Sequence, residues 1–264
     1  MHDMTQPTAN VLLQSIDARG VVTLTLNRPQ AFNGLSQALL AALLKALQAV
    51  AQDSTARVIV IQAAGKAFCA GHDLKEMRAE PALAYYERLF ALCSHVMLAI
   101  QAAPQPVIAR VQGIATAAGC QLVAMCDLAV ASSDARFAVS GVNLGLFCST
   151  PSVALSRNLG RKAAFEMLVT GEFISAEQAK EKGLVNRVVL SERLDAEVEK
   201  LVASVIAKPA VAIAAGKALF YRQLETGVAA AYEDAGRTMA CNMMAPDTLE
   251  GVAAFIEKRP PRWP

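Results

Sequence analysis

The sequence predicts an α/β fold, on three observations. Extended apolar runs alternate with helix-period segments as far as about Pro151. Two turns built of small residues, at 67–74 and 113–119, each link the end of an extended run to the start of a helix. Beyond Pro151 the periodicity is helical almost throughout. Alternation of this kind marks a sheet covered by helices.

Residues 20–26 alternate apolar and polar side chains with β-branched enrichment, a half-buried strand stopped by Asn27, Arg28 and Pro29. Ser36 is placed as a helix N-cap, because Leu39, Leu40, Leu43, Leu44, Leu47 and Val50 then fall on one face. Residues 57–62 run apolar without alternation, as strands covered on both faces do. A loop at 64–73 leads into helical sequence through Ala102, and residues 106–111 form a second buried strand ending at Gly113. The small-residue run from Ala115 opens a helix through Met125, and residues 127–131 are strand again. Gly160, Gly171 and Gly183 then break a helical region, with helices expected at 194–206, 210–224 and 248–258 and Pro209 separating the first two. A division into a core at 1–200 and a helical C-terminal region at 201–264 follows.

Composition narrows the function. The 264 residues carry 25 Lys and Arg against 23 Asp and Glu, and no basic run concentrates that balance, so nucleic acid is excluded as a partner. Six cysteines fit neither a disulfide framework nor a C-x-x-C pair, which implies a reducing compartment, with the cytoplasm as the expectation. Met1 to Thr8 shows no basic segment followed by an apolar core. Residues 89–109 and 137–156 are uncharged and long enough to cross a membrane. Their glutamines, asparagine, prolines and hydroxyl residues would leave polar groups unpaired in lipid, so no membrane role is expected. From Val111 to Ser156 the charged residues are Asp127, Asp134 and Arg136 alone, with no Glu, His or Lys.

The turns are where chemistry can sit. Each ends a strand and opens a helix, so backbone N–H groups near Gly71, His72 and Asp73, and between Gly113 and Gly119, are free to face a ligand. Two converging N–H donors make an oxyanion hole; the same small residues also suit tight helix–sheet packing, and the pattern alone leaves both readings open. His72 serves through its side chain or only through its N–H, His95 is expected in the core, and Cys120 is expected to be a buried structural thiol. No spacing of Cys, His or carboxylates suggests a metal site.

These residues are similar to a known family. Asn27-Arg28-Pro29 with Asn33, KAFCAGHDLKEM at 66–77, GIATAAGCQLVAMCD at 113–127, Thr170-Gly171 with Ser175, Ala176 and Ala179, and Glu250-Gly251 with FIEKR at 255–259 resemble the enoyl-CoA hydratase/isomerase (crotonase) family, in order along nearly the whole chain. Residues 141–151 resemble one particular branch of it. The resemblance implies a spiral of repeated ββα units, a helical C-terminal region used in trimerisation, and a trimer or hexamer. It implies an acyl-CoA thioester as ligand, with no covalently bound cofactor. By position it assigns the oxyanion hole to the N–H groups of His72 and Ala118. It sets Ala70, Asp73, Leu74 and Lys75 around the CoA moiety, Lys66 and Lys75 near phosphates, and Phe255 and Lys258 near the adenine.

The hydratases of the family hold water and move a proton with two glutamates, and the matching positions here are Gln121 and Gly141. An amide cannot take up a proton near neutral pH, and glycine has no side chain. Asn143, with Ser140, Ser149 and Gln121, is left to position water or a substrate group. The expected function is a hydratase/isomerase-like enzyme on CoA thioesters. The alternatives are an acyl-CoA-binding protein without efficient catalysis and a CoA thioester hydrolase.

Overall fold

The structure is a computed structural model and describes residues 10–263; the stretch from Met1 to Thr8, with His2, lies outside them. The main sheet contains β1 (Leu12–Ile16), β2 (Val21–Leu26), β3 (Val58–Ala63), β4 (Val107–Val111), β6 (Leu128–Ser132) and β9 (Arg187–Val189) in that order. Only the β1–β2 pairing is antiparallel. A smaller sheet joins β5 (Ala115–Thr116), β7 (Arg136–Ala138) and β8 (Ile174–Ser175). The helices are α1 (Gln37–Ala51), α2 (Leu74–Ala79), α3 (Leu83–Ala102), α4 (Ala118–Met125), α5 (Ser149–Asn158), α6 (Arg161–Thr170) and α7 (Ala176–Glu181). They continue with α8 (Leu194–Ile206), α9 (Ala210–Gln223), α10 (Val228–Met243) and α11 (Pro246–Ile256).

The unalternating strands have the predicted cause. Ile59, Ile61, Val107, Ala109, Ala129 and Ala131 join the large core with Leu39, Leu43 and Leu47 of α1 and Leu89, Cys93, Val96 and Ile100 of α3. The intervening Val58, Val60, Ile108 and Val130 face the other way, onto Leu194, Val198, Leu201 and Val202 of α8. Both faces are therefore covered, and an apolar residue is required at nearly every position. Ser36 caps α1 as predicted, its Oγ accepting from the Leu39 N–H at 3.2 Å, a contact worth about 1 kcal/mol.

Several expectations are corrected. The helical stretch through Ala102 is two helices, α2 and α3, because Pro81 interrupts the ladder between them. The region after Pro151 also contains β8 and β9, too short to show a period. Helix α10 joins the C-terminal series. His95 is exposed on the outer face of α3, one residue before the fully buried Val96. Helix α3 has the length and hydropathy of a membrane span, and its buried face packs on α1 and the core.

Helices α9 and α10 bury no residue fully within the chain, and α11 buries Ala254 alone. Helix α9 is held by a buried polar cluster instead. Lys217 Nζ donates to Asp127 Oδ2 at 2.6 Å and to the Ile100 and Gln105 carbonyls at 2.9 Å, and Tyr221 donates to Asp127 Oδ1 at 2.7 Å.

Candidate functional site

The loops after β3 and β4 are stitched together by their main chains. Phe68 and Cys69 N–H both donate to the Ile114 carbonyl, and Thr116 N–H donates to the Cys69 carbonyl at 3.0 Å. The approach is so close that a Cβ at Gly113 would lie 2.0 Å from the Lys66 carbonyl oxygen, and one at Gly119 would lie 2.1 Å from that of Cys69. Gly71, at φ +91°, packs on Ala117 and Thr116, and its missing Cβ would stand 3.4 Å from Ala118 N. Glycine at these three positions lets the two turns meet.

Side chains brace the first loop. Buried Asn33 donates from Nδ2 to the Ala64 and Ala67 carbonyls at 2.9 Å, while its Oδ1 accepts from Arg28 N–H at 2.8 Å. Asp73 caps α2 by accepting from Lys75 and Glu76 N–H and pairs with Arg28 Nη2 at 2.8 Å. Burial opposes ionisation of Asp73, but the Arg28 guanidinium and the cap N–H groups outweigh it and hold the carboxyl below its usual pKa. Asn33 and Arg28 belonged to the sequence signature without a stated role; they fix the loop's shape.

The second loop is held in strain. Ala117 has φ +50° and ψ −122°, a conformation that costs an alanine on the order of 1–3 kcal/mol, and its N–H donates to the Ala138 carbonyl at 3.0 Å. Helix α4 starts immediately after it, so Ala118 N–H has no intrahelical acceptor. Among the described residues neither Ala118 N–H nor His72 N–H meets an acceptor. Both residues line a cavity of about 280 Å³. Free N–H groups beside a helix N-terminus stabilise negative charge on a carbonyl oxygen.

The cavity also takes in Ala70, Leu74, Gly141, Ser140, Ser149 and Cys148, and among the described residues no carboxylate lines it. Burial pushes the His72 imidazole down to about 4, so it is neutral at physiological pH; its ring meets Phe90 edge-on at 5.2 Å, and its Nε2 is buried without a partner. Burial also raises the Cys148 thiol, opposed in part by the Gly141 N–H, so it too is neutral. Cys120 is pushed up to about 12 by burial, as an inert structural thiol requires.

Gln121, Asn143, Lys66, Lys75, Phe255 and Lys258 are not among the residues that line this wall. Gln121 is 4% exposed and has an unpartnered Oε1. Exposed Asn143 turns away to donate to the Gly171 carbonyl at 3.4 Å. Lys66 and Lys75 are exposed on the first loop and at the start of α2, while Phe255 and Lys258 are exposed at the C-terminal end, outside the cavity. Gly141 is a packed position rather than an empty one: a Cβ there would lie 2.6 Å from the Leu146 carbonyl oxygen and 2.7 Å from Cys148 Sγ. Among the described residues no group of three metal-ligating side chains gathers.

A family model described as enoyl-CoA hydratase/isomerase matches residues 17–264. The chain belongs to this family. Its fold is the crotonase spiral, shared with a crystal structure of an enoyl-CoA hydratase from Mycobacterium smegmatis at 71% identity and a TM-score of 0.95, over 96% of this chain and 98% of that one. The branch suggested by residues 141–151 is also supported. Rat enoyl-CoA hydratase domain-containing protein 3 is 45% identical over 92% of this chain and 81% of its own length. The human protein of that name has a crystal structure at 43% identity and a TM-score of 0.93, covering 96% of this chain and all of that one (100%). The cytoplasmic expectation is overturned, because the rat relative and its vertebrate counterparts are named as mitochondrial. Free thiols separate reducing from oxidising surroundings and do not distinguish one reducing compartment from another.

Proposed function

We propose that this member of the family is a hydratase/isomerase-like enzyme that binds an acyl-CoA thioester and polarises its carbonyl between the His72 and Ala118 N–H groups, without the carboxylate pair that drives hydration. The observation that carries this reading is the pair of N–H groups without acceptors on one cavity. Each such donor contributes about 3–4 kcal/mol when charge develops on the oxygen. Lys66 and Lys75 meet the CoA phosphates as point charges at the exposed edge of the first loop. The apolar side chains left exposed on α9–α11 support a homotrimer or hexamer.

Lacking general acid–base groups, the site hydrates a 2-enoyl-CoA slower by about 10²- to 10⁴-fold than a carboxylate-bearing relative. A second reading, binding without efficient chemistry, is favoured by one observation: His72 and Cys148, the titratable side chains on the wall, are both neutral. A panel of enoyl-, β-hydroxyacyl- and saturated acyl-CoAs separates the two, with free CoA thiol reporting hydrolysis. In Ala118→Pro the proline takes the first helical position and removes the N–H. Turnover of any substrate found should fall ~10²-fold or more. Unchanged turnover in a variant with wild-type circular dichroism refutes the oxyanion assignment.

A further inference from the structure

We infer, resting on the oxyanion reading proposed above, that Lys217 and Tyr221 of α9 are positioning residues for the Ala118 N–H, acting on it through Asp127 and helix α4 from the opposite end of the sheet.

Helix α4 runs between two fixed ends. At its start, Ala117 N–H donates to the Ala138 carbonyl, and Gly119 lies so close to Cys69 that a Cβ there would stand 2.1 Å from the carbonyl oxygen. At its finish, Asp127 follows the last turn and is bonded at both carboxylate oxygens. Its Oδ2 accepts from Val107 N–H and from Lys217 Nζ, each at 2.6 Å, and its Oδ1 accepts from the Tyr221 hydroxyl at 2.7 Å. The carbonyls of the last turn are engaged as well. Cys126 N–H donates to those of Leu122 and Val123 at 3.2 Å, and Asn158 Nδ2 donates to that of Ala124 at 2.9 Å.

Between these ends there is no slack. Helix α4 has 8 residues, about 12 Å of rise, and Ala118 through Ala124 are all buried, so it moves as one body within its packing. A shift of Asp127 along the helix axis therefore reaches the Ala118 N–H, and a misplacement of ~1 Å at a group that meets a reacting atom costs on the order of 10²-fold in rate. Val107 N–H pins one oxygen of Asp127 to β4; Lys217 and Tyr221, one on each oxygen, fix the plane of the carboxylate. Lys217 is itself held by the Ile100 and Gln105 carbonyls at 2.9 Å, which ties the cluster to the end of α3 and the approach to β4. A buried ion pair is often no more stabilising than apolar residues of the same volume, and what this one supplies is direction.

The test is infrared difference spectroscopy of the full chain with acetyl-CoA labelled with carbon-13 at the thioester carbonyl, alongside titration with CoA itself, which has no thioester. Wild type is expected to lower the carbonyl stretch on binding, because the N–H donors draw electron density onto the oxygen. Tyr221→Phe and Lys217→Met should each lose part of that shift, Lys217→Met the more, with CoA affinity unchanged. Tyr221→Phe keeps the ring and removes one hydrogen bond, so the test stands even where Lys217→Met does not fold. The full wild-type shift in a folded variant, or a loss of CoA affinity in step with the shift, overturns the inference and leaves the oxyanion reading in place. Absence of a shift in wild type overturns the oxyanion reading, and the inference with it.

Discussion

In the paired loops after β3 and β4, main chain lies against main chain, with glycine at each point of closest approach. In α9–α11 the opposite holds: Val228, Tyr232, Met239 and Phe255 project into solvent, and the buried Lys217–Asp127 pair ties α9 to the core. The first region is complete within one chain, whereas the second leaves apolar surface without a partner. A site that must present two N–H groups in fixed directions belongs in the first kind of region, because its geometry does not depend on neighbouring chains.

The contrast is easiest to break at Gly119. Gly119→Ala drives a methyl against the Cys69 carbonyl oxygen and is expected to cost more than ~4 kcal/mol, read as the shift of the urea midpoint; a loss under ~1 kcal/mol means the loops do not interlock as described. Lys217→Ala strands Asp127 in a buried setting and should cost about 3 kcal/mol, with α9 the first helix to gain amide exchange. Exchange spread evenly over the chain contradicts its role as the tether of α9.

A third prediction concerns pH. The His72 pKa is about 4 when folded, against 6.5 for the unperturbed group, so protons favour the unfolded chain. This contribution is constant above about pH 6.5, and stability is lost as pH falls from 6.5 through about 4. His72→Gln keeps the backbone N–H and should flatten that part of the stability profile by about 3 kcal/mol; a profile parallel to wild type places the imidazole in water. The smallest effect sharpens the other half of the comparison. Tyr232→Ser on α10 should change chain stability by less than ~0.5 kcal/mol while weakening self-association in sedimentation. Unaltered association means that this face of α10 is not the contact.

Where side chains repeat with a period, the sequence was readable. The helix after Ser36 and the helix at 194–206 were legible because each buries one face, and the unalternating strands because both sides of the sheet are covered. β1 escaped because it buries only Leu12, so no alternation marks it, and β9 because three residues cannot show a period. Of the candidate site, the two N–H donors were legible from small residues at strand-to-helix turns. The roles of Asp73, Asn33 and Gly141 were not: the first two depend on atoms distant in the chain, Arg28 Nη2 and the Ala64 carbonyl, and the third on a loop that folds back to bring the Leu146 carbonyl onto it. The packing that the small residues allow is what brings His72 and Ala118 to one cavity.

Ala117 carries a kinetic consequence. Because this alanine holds φ +50° through the chain's own contacts, the direction of the Ala118 N–H is fixed by the fold. On the function proposed above, association of a thioester would then involve no slow rearrangement of this loop. Ala117→Gly would relax the strain and free the donor to wander, trading a fixed direction for a search at every binding event.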